Sequence, residues 1–172
     1  MIEIEESGMR FMVDEANLYH VETSDAYNSL KNKGLEICEF AELKGKRIIL
    51  LEAKTSAPNP ASPNADAAEK FDNYIKTNAN KFVNAAIMLN AGVFKRNQEI
   101  GKEIPPTFTA SILRDCRYNC VLVIKNHKVE WITSVQDALE REINRTPFCA
   151  IWKHFSVKVL NEEIARQQGF IK

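Results

Sequence analysis

The sequence has no apolar run that approaches the ~20 residues needed for a membrane helix. Its acidic opening, MIEIEESGMR, has no signal-peptide core. We therefore expect a cytoplasmic protein with no membrane partner. It also lacks an excess of either charge, since Lys plus Arg and Asp plus Glu number 23 each. Neutrality argues against a dedicated nucleic-acid coat protein, which usually carries a basic excess, but it does not exclude a local basic groove.

Cysteine is scarce, and so are the usual catalytic motifs. Of the four cysteines, only Cys116 and Cys120 lie close together, as C-x3-C. No second Cys or His pair stands at zinc-finger spacing, so we expect buried free thiols and no structural zinc. The sequence contains no glycine-rich phosphate loop, no G-x-S-x-G and no C-x-x-C.

The length and the apolar content of the sequence are sufficient for one domain, which we place at residues 1–172. It is 45% hydrophobic and 27% charged, a composition typical of a globular protein. The pattern first predicts strands with a turn at Ser7-Gly8, then a short helix capped by Thr23 or Ser24 and ended by Gly34, and then a hairpin around 44–47. A loop over 57–64, a long helix over 66–89 and a break at Pro105-Pro106 follow. The remaining chain is predicted to form a second hairpin around Asn126-His127, a helix starting with a Ser134/Asp137 capping box, a strand over 155–160 and a helix between Asn161 and Gly169. This order predicts an α/β protein with a central mixed sheet, containing a core hairpin, flanked by helices.

The register of the central hairpin follows from its turn. A two-residue loop at Gly45-Lys46 pairs residues whose numbers sum to 91, and a four-residue loop gives the same sum. Glu39 then lies opposite Glu52, with Lys54 on the same sheet face. Both faces of the hairpin are otherwise mostly apolar, so we expect these strands to be covered on both sides.

Two carboxylates placed this close repel each other, and the repulsion must be compensated. Lys54 neutralises one charge, and a divalent cation would neutralise the rest. Mg²⁺ binds carboxylate oxygens together with water and substrate phosphate. The side chain of Ala53 points to the opposite face, which could leave its backbone carbonyl near the metal.

Glu39, a hairpin and then Glu52-x-Lys54 resemble the motif of the PD-(D/E)xK nuclease superfamily, with its restriction-endonuclease-like fold. The resemblance covers residues 19–125 as a topology of helix, three strands, helix and strand. It implies that Glu39 and Glu52 bind Mg²⁺ or Mn²⁺, that Lys54 orients or helps deprotonate the attacking water, and that the reaction is phosphodiester hydrolysis. Glu22 resembles an additional acidic ligand found in some members. The implied partner is nucleic acid, DNA in preference to RNA, and a homodimer is compatible with the family.

Other interpretations stay open. Glu52 and Lys54 could be a salt bridge at a strand end, and the fold could serve as a binding or scaffolding module with an idle site. The proline-containing loop after Lys54 could gate the site over residues 57–66, or simply connect a strand to a helix. Four cations on or just after the long helix could contact phosphates or could lie on a solvated helix face: Lys76, Lys81, Lys95 and Arg96.

Overall fold

The computed structural model describes residues 1–172, the side chain of Ala65 excepted. It has seven β-strands: β1 Ile2–Glu6, β2 Met9–Val13, β3 Leu18–Tyr19, β4 Phe40–Lys44, β5 Arg47–Lys54, β6 Arg117–Ile124 and β7 Phe155–Asn161. Its α-helices are α1 Asp25–Leu30, α2 Ala65–Val93, α3 Gln98–Glu103, α4 Pro106–Ile112, α5 Val129–Asn144, α6 Pro147–Trp152 and α7 Glu162–Gln167.

Five of the strands form one mixed sheet in the order β3-β4-β5-β6-β7. Strands β3, β4 and β5 pair in antiparallel fashion, whereas β6 runs parallel to both β5 and β7. Strands β1 and β2 form a separate two-stranded antiparallel sheet. The predicted α/β class with a central mixed sheet is confirmed. Between α1 and α2 the chain has two strands, β4 and β5, where the nuclease resemblance implies three.

The central hairpin follows the predicted register. Lys44 pairs with Arg47 and Phe40 with Leu51, both sums being 91. Gly45 has φ 63°, a left-handed value that a primed turn requires at this position and that other residues rarely adopt. Local turn chemistry is therefore sufficient to set the pairing of these two strands.

Both faces of the hairpin are buried, as predicted from the mostly apolar residues on each face. Ile48 and Leu50 lie in a large core that includes the apolar face of α2. Ile49 and Leu51 lie in a second core beneath the β1–β2 hairpin and α7. The sheet is thus covered on both sides along the part of β5 that leads to Glu52 and Lys54.

The helix ends carry the capping residues that the sequence indicates. Ser24 caps α1, and Gly34, with φ 77°, ends the short 3-10 turn that follows it. Asn161 accepts a hydrogen bond from the backbone N–H of Ile164 at 2.9 Å and so caps α7. The four cysteines are buried and free, as expected. None of the helices that the structure describes combines the length and the apolar character needed to cross a bilayer.

The predicted second hairpin is wrong. Strand β6 ends at Ile124, and α5 already begins at Val129, so the segment interpreted as a returning strand is the first turn of a helix. Ser134, taken as a cap, lies inside that helix, and its actual start at Lys128 has no side-chain cap. Helix α5 carries the chain across to β7, as a parallel pair of strands requires. The short helices α3, α4 and α6 were not predicted.

Candidate metal centre

The predicted site lies where β5 ends. Glu52 and Lys54 are at the carboxyl end of this strand, which runs parallel to β6, and the loop over 55–64 follows directly. In sheets with parallel strands, ligands bind beyond the carboxyl ends of the strands. The charged residues therefore lie at the end of the sheet where open α/β folds commonly bind ligands.

Glu52 is a fully buried carboxylate held by two lysines. Its Oε1 forms ion pairs with Lys54 and with Lys81, the latter at 2.8 Å. Lys54 reaches it along β5, and Lys81 reaches it from α2, which packs on this face of the sheet. Oε2 of Glu52 is also buried but has no hydrogen-bond partner. One lone oxygen of this carboxylate is therefore available to a further ligand.

Glu39 lies one position beyond the last hydrogen-bonded pair of the β4–β5 ladder, Phe40 with Leu51. The predicted pairing of Glu39 with Glu52 is therefore not part of the ladder, because Glu39 lies just outside β4. Its backbone carbonyl accepts a hydrogen bond from the N–H of Glu22 at 3.2 Å. This bond ties the segment before α1 to the start of β4 and brings the two glutamates together.

A cluster of three carboxylates results, formed by Glu6, Glu22 and Glu39. One carboxylate oxygen from each lies within 4.8 Å of the others. Glu6 comes from the end of β1, where the β1–β2 hairpin covers the sheet, and its Oε1 lies 3.4 Å from Nε2 of His20. The structure thus brings Glu22 into the site with Glu39, and adds Glu6.

The environment makes Glu39 hold a proton in the absence of a cation. Burial, a hydrogen bond to Glu22 and the charges of Glu52, Glu22 and Glu6 together raise the pKa of Glu39 to about 9. Oε2 of Glu39 is buried without a hydrogen-bond partner. The same hydrogen bond from protonated Glu39 lowers the pKa of Glu22, against the effect of burial and with help from Lys81 and Lys54.

Lys81 is held as a cation. Burial lowers its pKa, but the charge of Glu52 and its hydrogen bond to that carboxylate outweigh burial, so the pKa of Lys81 is raised. Its side chain is 14% exposed, whereas that of Lys54 is 29% exposed. Lys54 is thus the lysine more open to a ligand arriving from solvent.

The side chain of Ala53 points away from the carboxylates, as predicted. Its side chain is buried in the core on the opposite face of the sheet. Its carbonyl oxygen accepts a hydrogen bond from Oγ of Ser7 at 3.0 Å. The turn of the β1–β2 hairpin, which includes Ser7, therefore reaches the same end of β5 as the carboxylates.

The charges of the site do not balance without a proton or a cation. Glu6, Glu22 and Glu39 form the carboxylate cluster, while Glu52, which is not a member of that cluster, binds the two ammonium groups. The unpartnered buried oxygens of Glu39 and Glu52 are hard ligands of the kind that Mg²⁺ and Mn²⁺ bind. The residues present therefore fit a divalent cation.

Sequence reasoning considered Lys81 only as a phosphate contact or part of a solvated helix face, not as a partner of Glu52, and it did not consider Glu6. A signal for Lys81 did exist, because it lies three residues after Asn78 and four before Ala85, both buried on the core-facing stripe of α2. Lys76, by contrast, is exposed. No comparable local signal marks Glu6, since its place depends on how the β1–β2 hairpin docks on the sheet.

No family model, curated protein or solved structure gives a significant match to this chain.

Proposed function

We propose that this protein hydrolyses phosphodiester bonds in nucleic acid, DNA in preference to RNA, with the help of a divalent cation. The observation that carries the proposal is the buried Glu52, which binds two lysines through one oxygen while the other oxygen has no partner. Glu39, also with an unpartnered buried oxygen, lies near enough for the charge of Glu52 to raise its pKa. Carboxylates with adjacent lysines at a strand end suit a phosphate substrate.

Glu39 and Glu52 would hold Mg²⁺ or Mn²⁺, with Glu22 and Glu6 as additional carboxylates. Such an ion, when bound, acts as a Lewis acid toward a phosphoryl oxygen and lowers the pKa of a bound water. Glu39 would have to release its proton in order to bind such a cation. Glu22 accepts the hydrogen bond from Glu39 and orients its carboxyl group in the protonated state.

The two lysines have different tasks in this proposal. Lys54, the more exposed, faces the incoming substrate, orients the attacking water and stabilises negative charge that develops on the phosphoryl oxygens. Lys81, more buried and kept protonated by Glu52, positions that carboxylate and contributes fixed positive charge. Since Lys81 stays protonated, it does not serve as the general base.

The test is cleavage of labelled single-stranded DNA, double-stranded DNA and RNA in Mn²⁺ or Mg²⁺. Wild-type protein should cut at least one DNA substrate and stop in EDTA. Lys54→Ala and Glu52→Gln should each lower the rate by roughly 100-fold or more, by analogy with the loss of one transition-state contact. Lys76→Ala, on the exposed face of α2, is the matched control. Activity that survives Lys54→Ala contradicts the assigned roles.

A binding or scaffolding module with an idle site is the second candidate. One observation favours it, namely that Glu52 is already neutralised through Oε1 by two lysines, while Glu39 can be neutral through its own proton. Calorimetric titration with Mn²⁺ separates the two. Binding that disappears in the Glu39→Gln/Glu52→Gln double variant supports the enzyme, and the absence of any binding supports the module.

A further inference from the structure

The amino-terminal end of β5, at the far end of the strand from the carboxylate site, is surrounded by cationic side chains. Arg47 and Lys54 are the first and last residues of this strand, about 23 Å apart at ~3.3 Å per residue. Around Arg47 lie cationic side chains from the starts and ends of neighbouring strands. We call this surface the basic sheet face, and it comprises Lys44, Arg47, Arg117, Lys153, His154 and Lys158.

The basic sheet face lines two adjoining grooves. One groove contains Lys44, Arg47 and Lys158, the other contains Arg47, Arg117, Lys153 and His154, and both share Asn119 and Ser156. No acidic side chain lines either groove in the part of the chain that the structure describes. In a protein with equal numbers of acidic and basic residues, this is a marked separation of charge.

Most of these cations are not engaged by the protein itself. Within the described residues, Arg47, Arg117, Lys153 and Lys158 form no salt bridge, and all four are exposed. Lys44 is the exception, because its Nζ lies 3.0 Å from Oε2 of Glu42. Uncompensated cations that repel one another cost stability, so their grouping favours a ligand that neutralises them.

The register of the sheet explains why these cationic side chains lie close together. Arg47 pairs with Arg117 across β5 and β6, and Val121 pairs with Lys158 across β6 and β7. Oγ of Ser156 donates a hydrogen bond to Oδ1 of Asn119 at 2.9 Å between the same strands. The amide N–H groups of Asn119 are left to donate to a ligand. Cations and neutral donors therefore extend across three strands spaced ~4.8 Å apart.

We propose that the basic sheet face binds the phosphate backbone of a nucleic-acid strand, separately from the carboxylate site. A nucleic acid supplies a regular row of negative charges, and its interfaces are strongly positive and polar. Arginine forks match phosphate geometry, and amide and hydroxyl groups add neutral contacts. Lysine is depleted from the cores of protein–protein interfaces, so an acidic protein suits this surface less well. The choice of nucleic acid rests on the proposed function.

Binding is tested in EDTA, so that the result does not depend on a metal or on catalysis. Anisotropy of a fluorescein-labelled 20-nucleotide single strand is measured at 50–300 mM NaCl. The variant is Arg47→Gln/Arg117→Gln/Lys158→Gln. Its control is Lys31→Gln/Lys33→Gln/Lys102→Gln, which removes the same charge from exposed lysines elsewhere. Thermal unfolding of both variants checks folding, and the three single Gln variants of the face replace the triple one if it does not fold.

The triple variant should bind roughly tenfold or more weakly, and its log affinity against log salt should be shallower by about 2, or ~0.7 for each lost phosphate contact. The control should match the wild type. Equal loss in face and control variants overturns the proposal, as does displacement of the oligonucleotide by polyglutamate at the same concentration of charge. Hydrolysis of bis(4-nitrophenyl) phosphate, too small to reach the face, reports on the carboxylate site alone. If this hydrolysis is absent but oligonucleotide binding still depends on the basic sheet face, the proposed function is refuted and the binding proposal is not.

Discussion

Nζ of Lys81, on the long helix, lies 2.8 Å from Oε1 of Glu52, at the end of a central strand. The pair joins α2 to β5 at the point where the core meets the carboxylate cluster. Glu52 is fully buried, so each lysine that contacts it offsets part of the cost of removing this charge from water.

Replacing Lys81 by Met should destabilise the metal-free protein by about 1–3 kcal/mol, because Glu52 is left with Lys54 alone. Lys76→Met, an exposed change on the same helix, should stay within about 0.5 kcal/mol of the wild type. Urea unfolding of both variants in EDTA is the measurement. Similar stabilities for the two variants would show that the ion pair contributes no net stabilisation.

Stability of the metal-free protein should depend on Glu39 over a defined pH range. Burial, together with Glu22 and Glu52, raises the pKa of Glu39 from 4.5 to about 9, so the folded protein holds a proton that the unfolded chain releases above 4.5. The stabilisation that this proton provides is complete below pH 4.5 and is lost as the pH rises to about 9. The free energy of unfolding falls by at most ~1.4 kcal/mol per pH unit in this range.

Glu39→Gln cannot ionise and should lack this pH dependence, so its stability relative to the wild type should rise steadily between pH 5 and 8. Urea unfolding across this range in EDTA measures the difference. Glu36→Gln, at an exposed position, provides the same chemical change without burial. A constant difference between Glu39→Gln and the wild type across the range would refute the raised pKa.

Metal affinity should also follow the proton on Glu39. Because the cation and the proton compete for this carboxylate, Mn²⁺ affinity should rise with pH, approaching tenfold per unit below pH 9. Calorimetric titration at pH 6, 7 and 8 gives the slope. Glu39→Gln should both weaken binding and flatten the pH dependence; an unchanged slope would mean that another group supplies the proton.

Gly101→Ala tests the packing of α3 against α2. A Cβ at this position would lie 2.9 Å from the carbonyl oxygen of Gly92, which is a backbone atom and cannot move aside cheaply. We expect a loss of about 1–3 kcal/mol in the free energy of unfolding, although Gly to Ala within a helix ordinarily stabilises it by up to ~1 kcal/mol. Thermal or urea unfolding decides the sign, and a stabilised variant would contradict the close approach of the two helices.

The parts of the fold that sequence predicts well are those set by local chemistry. The turn at Gly45 sets the pairing of β4 and β5, and Asn161 marks the start of α7. Helix α5 was misassigned because its first turn has no capping side chain and contains residues with strand preference, including Val129 and Ile132. Because Ser134 is a good capping residue in isolation, the predicted start of the helix was placed too late in the sequence.

The residues of the candidate site also fall into two groups, those that local sequence places and those that tertiary packing places. Glu52 and Lys54 share one strand face, so alternation alone places them together. Glu39 follows from the hairpin register, although the ladder stops just before it. Glu6 and Lys81 arrive from elements packed on the sheet, and their contacts depend on tertiary docking that no short stretch of sequence encodes.

The most direct test of the metal centre is anomalous diffraction from crystals soaked in Mn²⁺ near pH 8. We predict a peak within about 2.3 Å of a carboxylate oxygen of both Glu39 and Glu52, with Lys54 and Lys81 retained beside it. At saturating Mn²⁺, the absence of a peak there, with Glu52 still bound only by its two lysines, would contradict the proposed metal-dependent function.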